Sequence, residues 1–341
     1  LSGRIIKKLK IQIPEYCIAK NYDEIINFSE VAQFPVLVRP SYVLGGRAMQ
    51  IVYNKEQLVD YVFRSAEATN DHPILIDQFI ENAFEFDVDA LCDGKEVFIA
   101  GIMQHIEEAG VHSGDSSCVI PPYDMSDKIK KDIIDMTTKL ALELNVIGLI
   151  NLQFAVKGNE AYVLEVNPRS SRTVPFVSKY SNVPLANIAA QLSVGKKLKD
   201  FNLEENNFNH IAVKKAVLPF KKFKNEKVFL GPEMKSTGEV MGIDSEPGMA
   251  FLKAMQSDGY TVPNEGTAFV SISDIDKKRA LPIIRDLATL NFTIIATKGT
   301  ADFFIENGIE CTSIFKVGEG RPNVVDEILN DNIHLVINTP I

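Results

Sequence analysis

The sequence predicts two fold types in one chain: a mixed α+β region over residues 1–258 and an α/β, Rossmann-like region over residues 259–341. Three observations predict this. Val146–Val156 and Tyr162–Asn167 are two runs that each alternate apolar with polar residues, the pattern of a half-solvated antiparallel hairpin. Asp93-Gly94 separates Ala90-Leu-Cys from Val97-Phe-Ile, a second hairpin signal. Beyond Gly259 strands and helices alternate: Ala268–Ser273, Asp276–Leu290, Phe292–Ala296, a helix from Thr300, Cys311–Phe315, Val324–Asn330 and His334–Ile337. That order calls for parallel strands joined by crossover helices.

The remaining elements follow in turn. Residues 1–30 read as a helix, a break at Pro14 and a second helix. Phe34–Pro40 is a buried-strand pattern ending in a cation, followed by a glycine-containing loop, a strand at Gln50–Tyr53 and a helix capped by Asn54. Asp127–Asn145 places Ile129, Ile133, Met136, Leu140 and Leu144 at helical spacing. The polar stretch Asn202–Asn209 interrupts the larger region.

Composition narrows the function classes. The chain has 341 residues, 45% of them hydrophobic, which suffices for more than one core. Its net charge of -9 argues against nucleic acid as a partner. No signal-peptide pattern and no apolar run near the ~18 residues of a membrane span appears. Cys17, Cys92, Cys118 and Cys311 show no metal-type or redox-type spacing and read as reduced thiols, the usage expected of a cytoplasmic protein.

Two constellations carry chemistry. Along Tyr162–Asn167, Glu165 and Asn167 share one face, with Arg169 just beyond, and Leu164 and Val166 share the other. On the preceding strand Asn151 and Gln153 alternate with Leu152 and Phe154. A loop of Gly158, Asn159 and Glu160 sets Gln153 opposite Glu165 and keeps all the apolar residues on one side, whereas a two-residue Gly-Asn turn does not. Gln153, Glu165 and Asn167 then form an oxygen cluster suited to a divalent cation and the phosphates it carries. The competing reading is an edge hairpin with a solvated polar face. Upstream, Arg39 and Arg47 flank Gly45-Gly46, where backbone N–H groups can close on an anion without a Cβ in the way. An ordinary hairpin explains that loop as well.

Six motifs give a family resemblance: Val38-Arg-Pro-Ser-Tyr-Val-Leu-Gly-Gly-Arg-Ala-Met49, Gly110-Val-His-Ser-Gly-Asp115, Asn151-Leu-Gln-Phe154, Leu164-Glu-Val-Asn-Pro-Arg169, Thr173-Val-Pro-Phe-Val-Ser-Lys179 and Gly231-Pro-Glu-Met-Lys-Ser-Thr-Gly-Glu-Val240. The whole chain resembles, in order, the last part of the large chain of carbamoyl phosphate synthetase: its second ATP-grasp half and the start of a methylglyoxal-synthase-like regulatory domain. The resemblance implies ATP-dependent phosphorylation of carbamate, itself made from bicarbonate and glutamine-derived ammonia. Mg2+ or Mn2+ would be held by Gln153, Glu165 and Asn167, with K+ as a further ion. Arg39, Arg169 and Asn167 are the implied catalytic residues. Gly45, Gly46, Gln78, Ile80, Glu85, Val111, His112 and Ser113 are the implied ATP contacts beside Arg39, Gln153 and Glu165, with Ile74–Ile80 as the strand joining two lobes. As a lone histidine, His112 reads as structural. The alternating Glu85, Asp87 and Asp89 also read as a solvated strand face.

For the second region the resemblance implies control by UMP or IMP at Ser271, Lys277, Thr297, Thr300, Lys316 and Asn338. Simple helix capping is the competing reading of Thr297 and Thr300. It also implies a glutaminase small chain as partner, met through a part of the large chain that precedes this sequence, and service in pyrimidine or arginine synthesis. The chain is expected to begin after the strand–helix segment that opens the second ATP-grasp half and to stop inside the regulatory domain. Glu107 and Asp115 match ornithine contacts, but Lys215 stands where ornithine-regulated members carry an acid, so no ornithine response is expected. The alternatives are a non-catalytic nucleotide-binding or regulatory fragment and another ATP-grasp carboxylate–amine ligase.

Overall fold

The structure is a computed structural model that describes residues 3–20, 22–31, 33–40, 48–66, 73–204, 208–220 and 229–339. The chain divides into two compact units, Leu1–Gly259 and Tyr260–Ile341.

The first unit opens with α1 (Gly3–Leu9), β1 (Tyr16–Ala19), α2 (Tyr22–Val31), β2 (Val36–Pro40), β3 (Gln50–Val52), α3 (Lys55–Ala66) and β4 (Ile74–Gln78). The four strands form an antiparallel sheet in the order β1-β4-β2-β3. Val36, Val38, Ile74 and Ile76 point to one face, as strand alternation requires, and pack with Leu58, Tyr61 and Val62 of α3. Asn54 caps α3 by accepting the Gln57 N–H at 2.9 Å. The expected helix after Pro14 is α2, and a strand, β1, precedes it. Tyr16, Cys17 and Ile18 are good strand formers, and pairing with β4, Tyr16 opposite Asp77 through Ala19 opposite Ile74, decides their conformation.

Seven strands make the second sheet: β5 (Phe84–Asp93), β6 (Val97–His105), β7 (Cys118–Ile120), β8 (Ile147–Lys157), β9 (Glu160–Asn167), β10 (Ile211–Val217) and β11 (Gly238–Asp244). Their order is β11-β10-β7-β6-β5-β8-β9, antiparallel throughout. Helix α4 (Asp127–Glu143) covers one face by packing Ile129, Ile133 and Leu140 on Phe86, Val88, Ile150, Leu152 and Phe154. On the other face α5 (Val174–Ser181) and α6 (Leu185–Ser193) set Phe176, Val177, Leu185 and Ile188 against Leu91, Met103 and Leu149. Helix α7 (Pro247–Ser257) lies directly on β11: a Cβ on Gly242 would stand 2.1 Å from the Ala250 carbonyl oxygen and 2.6 Å from the Ala254 nitrogen. Gly242→Ala is therefore expected to destabilise this unit by about 3 kcal/mol, read from a lower denaturant midpoint at unchanged slope.

The β8–β9 hairpin reaches the expected pairing by another route. Lys157 pairs with Glu160, leaving the tight two-residue loop Gly158-Asn159, with Gly158 at φ 59°. The register then shifts by one between Gln153 and Phe154, and Gln153 ends opposite Glu165. The extra residue is Leu164, which lines the cleft described below while Val163 joins the core. A β-bulge supplies the offset that the sequence reading assigned to a longer loop and to a core-facing Leu164.

The second unit is β12 (Gly266–Ser271), α8 (Lys277–Thr289), β13 (Phe292–Thr297), α9 (Lys298–Glu306), β14 (Thr312–Ile314), α10 (Val324–Leu329) and β15 (Leu335–Asn338). All four strands are parallel, in the order β14-β13-β12-β15, so the winding direction reverses at β12. Ala268, Val270, Ile294 and Ala296 form the core with Ile284 of α8 and Phe304 of α9. Asn323 and Asp326 cap α10 reciprocally: the Asn323 Oδ1 takes the Val325 N–H at 3.0 Å and the Asp326 Oδ2 takes the Asn323 N–H at 2.9 Å.

Candidate functional site

Three neighbouring strands carry the chemistry in two rows. Asp87 of β5 stands opposite Gln153 of β8, which stands opposite Glu165 of β9. One step along, Asp89, Asn151 and Asn167 repeat the arrangement. The two-residue period of a strand puts both rows on one face. All of these residues but the fully buried Asp89 line a cleft of about 980 Å³.

Every described residue expected at the site lines this cleft. Gln78 and Ile80 enter from the segment leading out of β4, and Arg39 enters from β2. Glu85, Val111, His112 and Ser113 line another stretch of wall, and Gln153, Glu165, Asn167 and Arg169 come from the hairpin and its exit. Gly45, Gly46 and Arg47 lie outside the described residues. The expected joining strand is β4, whose continuation through Phe79 leads into β5 of the larger sheet.

The contacts show what each group has free. The Glu165 side chain is exposed to the cleft and makes no hydrogen bond or ion pair among the described residues. Gln153 donates from Nε2 to the Ser113 Oγ at 2.8 Å, which leaves its carbonyl oxygen available. Asn167 accepts from the Arg169 Nη2 at 3.1 Å, and Arg169 Nη1 donates to the Ser170 carbonyl. Arg39 pairs with Asp77 at 3.0 Å. Glu85 accepts the Gly110 N–H at 2.9 Å, with Gly110 at φ 95°, a backbone shape that favours glycine.

Asp87 and Asp89 are buried, against the solvated-face reading. The Asp87 Oδ2 lies 3.2 Å from His105 Nε2, while His105 Nδ1 lies 3.4 Å from the Glu85 Oε2. Burial opposes a charge on His105, yet Cys118, Asp87 and Glu85 together outweigh it and hold its pKa well above the ordinary imidazole value. His105 therefore contributes stability that is complete below about pH 6.5 and is lost as the pH rises through its higher folded pKa. Unfolding free energy is expected to fall with pH above that point, and His105→Gln should flatten the slope; denaturant titrations from pH 6 to 9 would read it.

His112 behaves in the opposite way. Burial lowers its pKa, so the ring is neutral at neutral pH. Its Nδ1 accepts the Gly114 N–H at 3.0 Å, which places the ring proton on Nε2.

The sequence reading passed over Arg172 and Glu239, which line the cleft, and the buried Lys214, and it gave Asp89 only as part of a solvated face. Burial lifts Asp89 to about 6 even though it accepts hydrogen bonds from Thr173, Ser171 and Asn151. Lys214 is fully buried, donates to the Ser113 carbonyl at 3.2 Å and faces Glu239 Oε1 at 3.7 Å. Burial opposes its charge, but Cys118, Glu239 and Asp87 outweigh that and raise its pKa. Its neighbour Lys215 points to the opposite face of β10 and pairs with Asp258 at 2.5 Å. Glu107 and Asp115 are turned toward backbone N–H groups, of Ser117 and of Lys235 and Ser236 respectively.

In the second unit, Ser271, Thr297 and Asn338 end three parallel strands at one edge, with Ser271 opposite Asn338. Lys316 borders a cavity of about 430 Å³ with Lys298, Gly299 and Ser313; the other five expected residues do not line it. The Thr300 hydroxyl is committed to the residue after β12, accepting from the Ile272 nitrogen at 3.3 Å and donating to its carbonyl at 3.4 Å. Neither it nor Thr297 caps α9 through its side chain. Lys277 donates to the Gly299 carbonyl at 2.7 Å and pairs with Asp274.

A small antiparallel sheet and a larger one bordering a polar cleft make the first unit an ATP-grasp domain, and solved structures share this fold. The biotin carboxylase domain of 2-oxoglutarate carboxylase from Hydrogenobacter thermophilus superposes with a TM-score of 0.54 at 19% identity, covering 65% of this chain and 50% of that one. N5-carboxyaminoimidazole synthetase from Staphylococcus aureus gives 0.54 at 13% identity, covering 75% and 70%. Residues 2–201 match the family described as carbamoyl-phosphate synthase L chain, ATP binding domain, and residues 279–341 match the MGS-like domain. The chain belongs to the carbamoyl phosphate synthase large-chain family. It is 54% identical over 340 residues to the large chain from Archaeoglobus fulgidus, covering 99% of this chain but 32% of that relative. It is 49% identical over 357 residues to the C-terminal section of the large chain from Aquifex aeolicus, covering 100% and 66%. Among the described residues no helix is long and apolar enough to cross a membrane.

Proposed function

We propose that the cleft of the first unit phosphorylates carbamate with ATP, giving carbamoyl phosphate and ADP, as one step of carbamoyl phosphate synthesis. The observation that carries this reading is the row Asp87–Gln153–Glu165, which ends in a carboxylate with no partner among the described residues, beside Asn167 and Arg169. Relatives at 49–54% identity named carbamoyl phosphate synthase favour it over another ligase of the same fold.

The donor set fits a divalent cation: the carboxylate of Glu165, the carbonyl oxygen of Gln153 and the side-chain oxygen of Asn167, all hard oxygen ligands. When bound, Mg2+ or Mn2+ supplies charge neutralisation on the nucleotide phosphates. The protein's part is positioning, because phosphoryl transfer needs no protein nucleophile. Gln78 and Ile80 offer backbone to the adenine edge, and Glu85 takes the ribose. Neutral His112 donates from Nε2, and Ser113 holds the Gln153 amide. Arg39 offsets charge on the transferred group and Arg169 orients carbamate. A carbamate oxygen bonds to the γ-phosphorus as the β–γ bridging bond breaks, and ADP leaves with that electron pair. The test is ATP formation from carbamoyl phosphate and ADP by the intact large chain assembled with its glutaminase partner; no ATP above the uncatalysed rate would remove the proposal.

The strand ends of the second unit and the Lys316 cavity support a regulatory nucleotide, UMP or IMP. Coupling free energies of the usual size limit the resulting shift in ATP affinity to roughly 5- to 150-fold. Lys316→Ala should shrink that shift and leave basal synthesis unchanged; titration of the intact large chain with UMP, IMP and ornithine reads it. Lys215, paired with Asp258, gives no acidic contact for ornithine.

A further inference from the structure

Asp89 is fully buried, yet three side-chain donors converge on it. Asn151 reaches Oδ1 at 3.0 Å, the Ser171 hydroxyl reaches Oδ1 at 2.7 Å and the Thr173 hydroxyl reaches Oδ2 at 2.5 Å. A hydroxyl–carboxylate bond of this length is charge-assisted and strong. Ser171 and Thr173 flank Arg172, and all three line the cleft, so the turn that carries the arginine is held on both sides of it by hydroxyls bonded to Asp89. The same short segment begins at Arg169, whose guanidinium rests on Asn167. The Ser171 and Thr173 hydroxyl oxygens lie 2.8 Å apart, so the carboxylate receives both from one side.

We infer that Asp89 is a positioning residue, which fixes the Ser171–Thr173 turn from beneath and thereby sets where Arg169 and Arg172 stand in the cleft. The inference rests on the proposed carbamate-phosphorylating function, since the arginines are read as holding its anionic substrate. Asp89 touches neither substrate nor metal; it acts through the two hydroxyls. A buried carboxylate with three donors forms a rigid anchor, because each donor would be left unpaired in low dielectric if the turn moved.

The test compares Asp89→Asn, Thr173→Val and Thr173→Ser in the intact large chain. Two quantities are measured for each: kcat/KM for carbamoyl phosphate in ATP formation, and ADP affinity by calorimetry. Misplacing an orienting group by about 1 Å costs on the order of 100-fold, so Asp89→Asn and Thr173→Val should each lower kcat/KM by about 30- to 100-fold. ADP affinity should stay within about threefold of the parent, because the nucleotide contacts lie on other segments, and Thr173→Ser, which keeps the hydroxyl, should stay near parental kinetics. Kinetics unchanged in folded Asp89→Asn would overturn the inference. So would ADP affinity falling in step with kcat/KM, the mark of general loosening. Should Asp89→Asn fail to fold, the contrast between Thr173→Val and Thr173→Ser decides. A parent protein that makes no ATP overturns the proposed function itself, a result distinct from either.

Discussion

Glu165→Gln is expected to reduce phosphoryl transfer by the complete enzyme at least about a thousandfold, the size of effect associated with removing a key charge-stabilising group. Glu165 is exposed, so the change removes no packing and leaves no buried partner unpaired. Its side chain faces the cleft next to Gln153 and Asn167, and the substitution exchanges the one anionic oxygen ligand of that trio for a neutral amide. Thermal unfolding should therefore be unchanged while ATP formation from carbamoyl phosphate and ADP is lost. Near-normal turnover in Glu165→Gln would mean that the β8–β9 rows are a polar surface without a role in transfer.

The next largest effect is expected on stability, at Lys214→Met. Lys214 is fully buried, and removing its ammonium leaves Glu239 without its facing cation and the Ser113 carbonyl without its donor. Breaking one half of a buried ion pair typically costs 3–5 kcal/mol, so a loss of about 3 kcal/mol is expected in denaturant titrations. Lys215→Met is the control. Its pairing with Asp258 lies near the surface, where such pairs contribute about 1 kcal/mol or less. Equal losses for the two variants would contradict the burial argument.

These two lysines show where the sequence was silent. Lys214 and Lys215 are chemically identical neighbours, and only the pairing of β10 between β7 and β11 sends one inward and the other to the α7 face. Asp87 and Asp89 pose the same difficulty. Their alternation with Phe86 and Val88 is that of a solvated strand, and what buries Asp89 is Ser171 and Thr173, more than eighty residues away in the chain. By contrast, the pairing of Gln153 with Glu165 was legible, because a face of alternating apolar residues admits one register. The means of reaching that register was not, since no residue type announces the bulge at Leu164. The parallel sheet of the second unit was readable because strand and helix alternate at short, regular intervals. The strand at Tyr16–Ala19, ahead of the expected helix, was not legible because its partner strand, β4, begins at Ile74.

A crystal structure of the chain with MgADP would test the central claim most directly. The account predicts the adenine edge against the backbone of Gln78 to Ile80, the ribose on Glu85, and the phosphates with their cation between Gln153, Glu165 and Asn167. Nucleotide bound elsewhere on the first unit, or no nucleotide in this cleft at saturating MgADP, would contradict it.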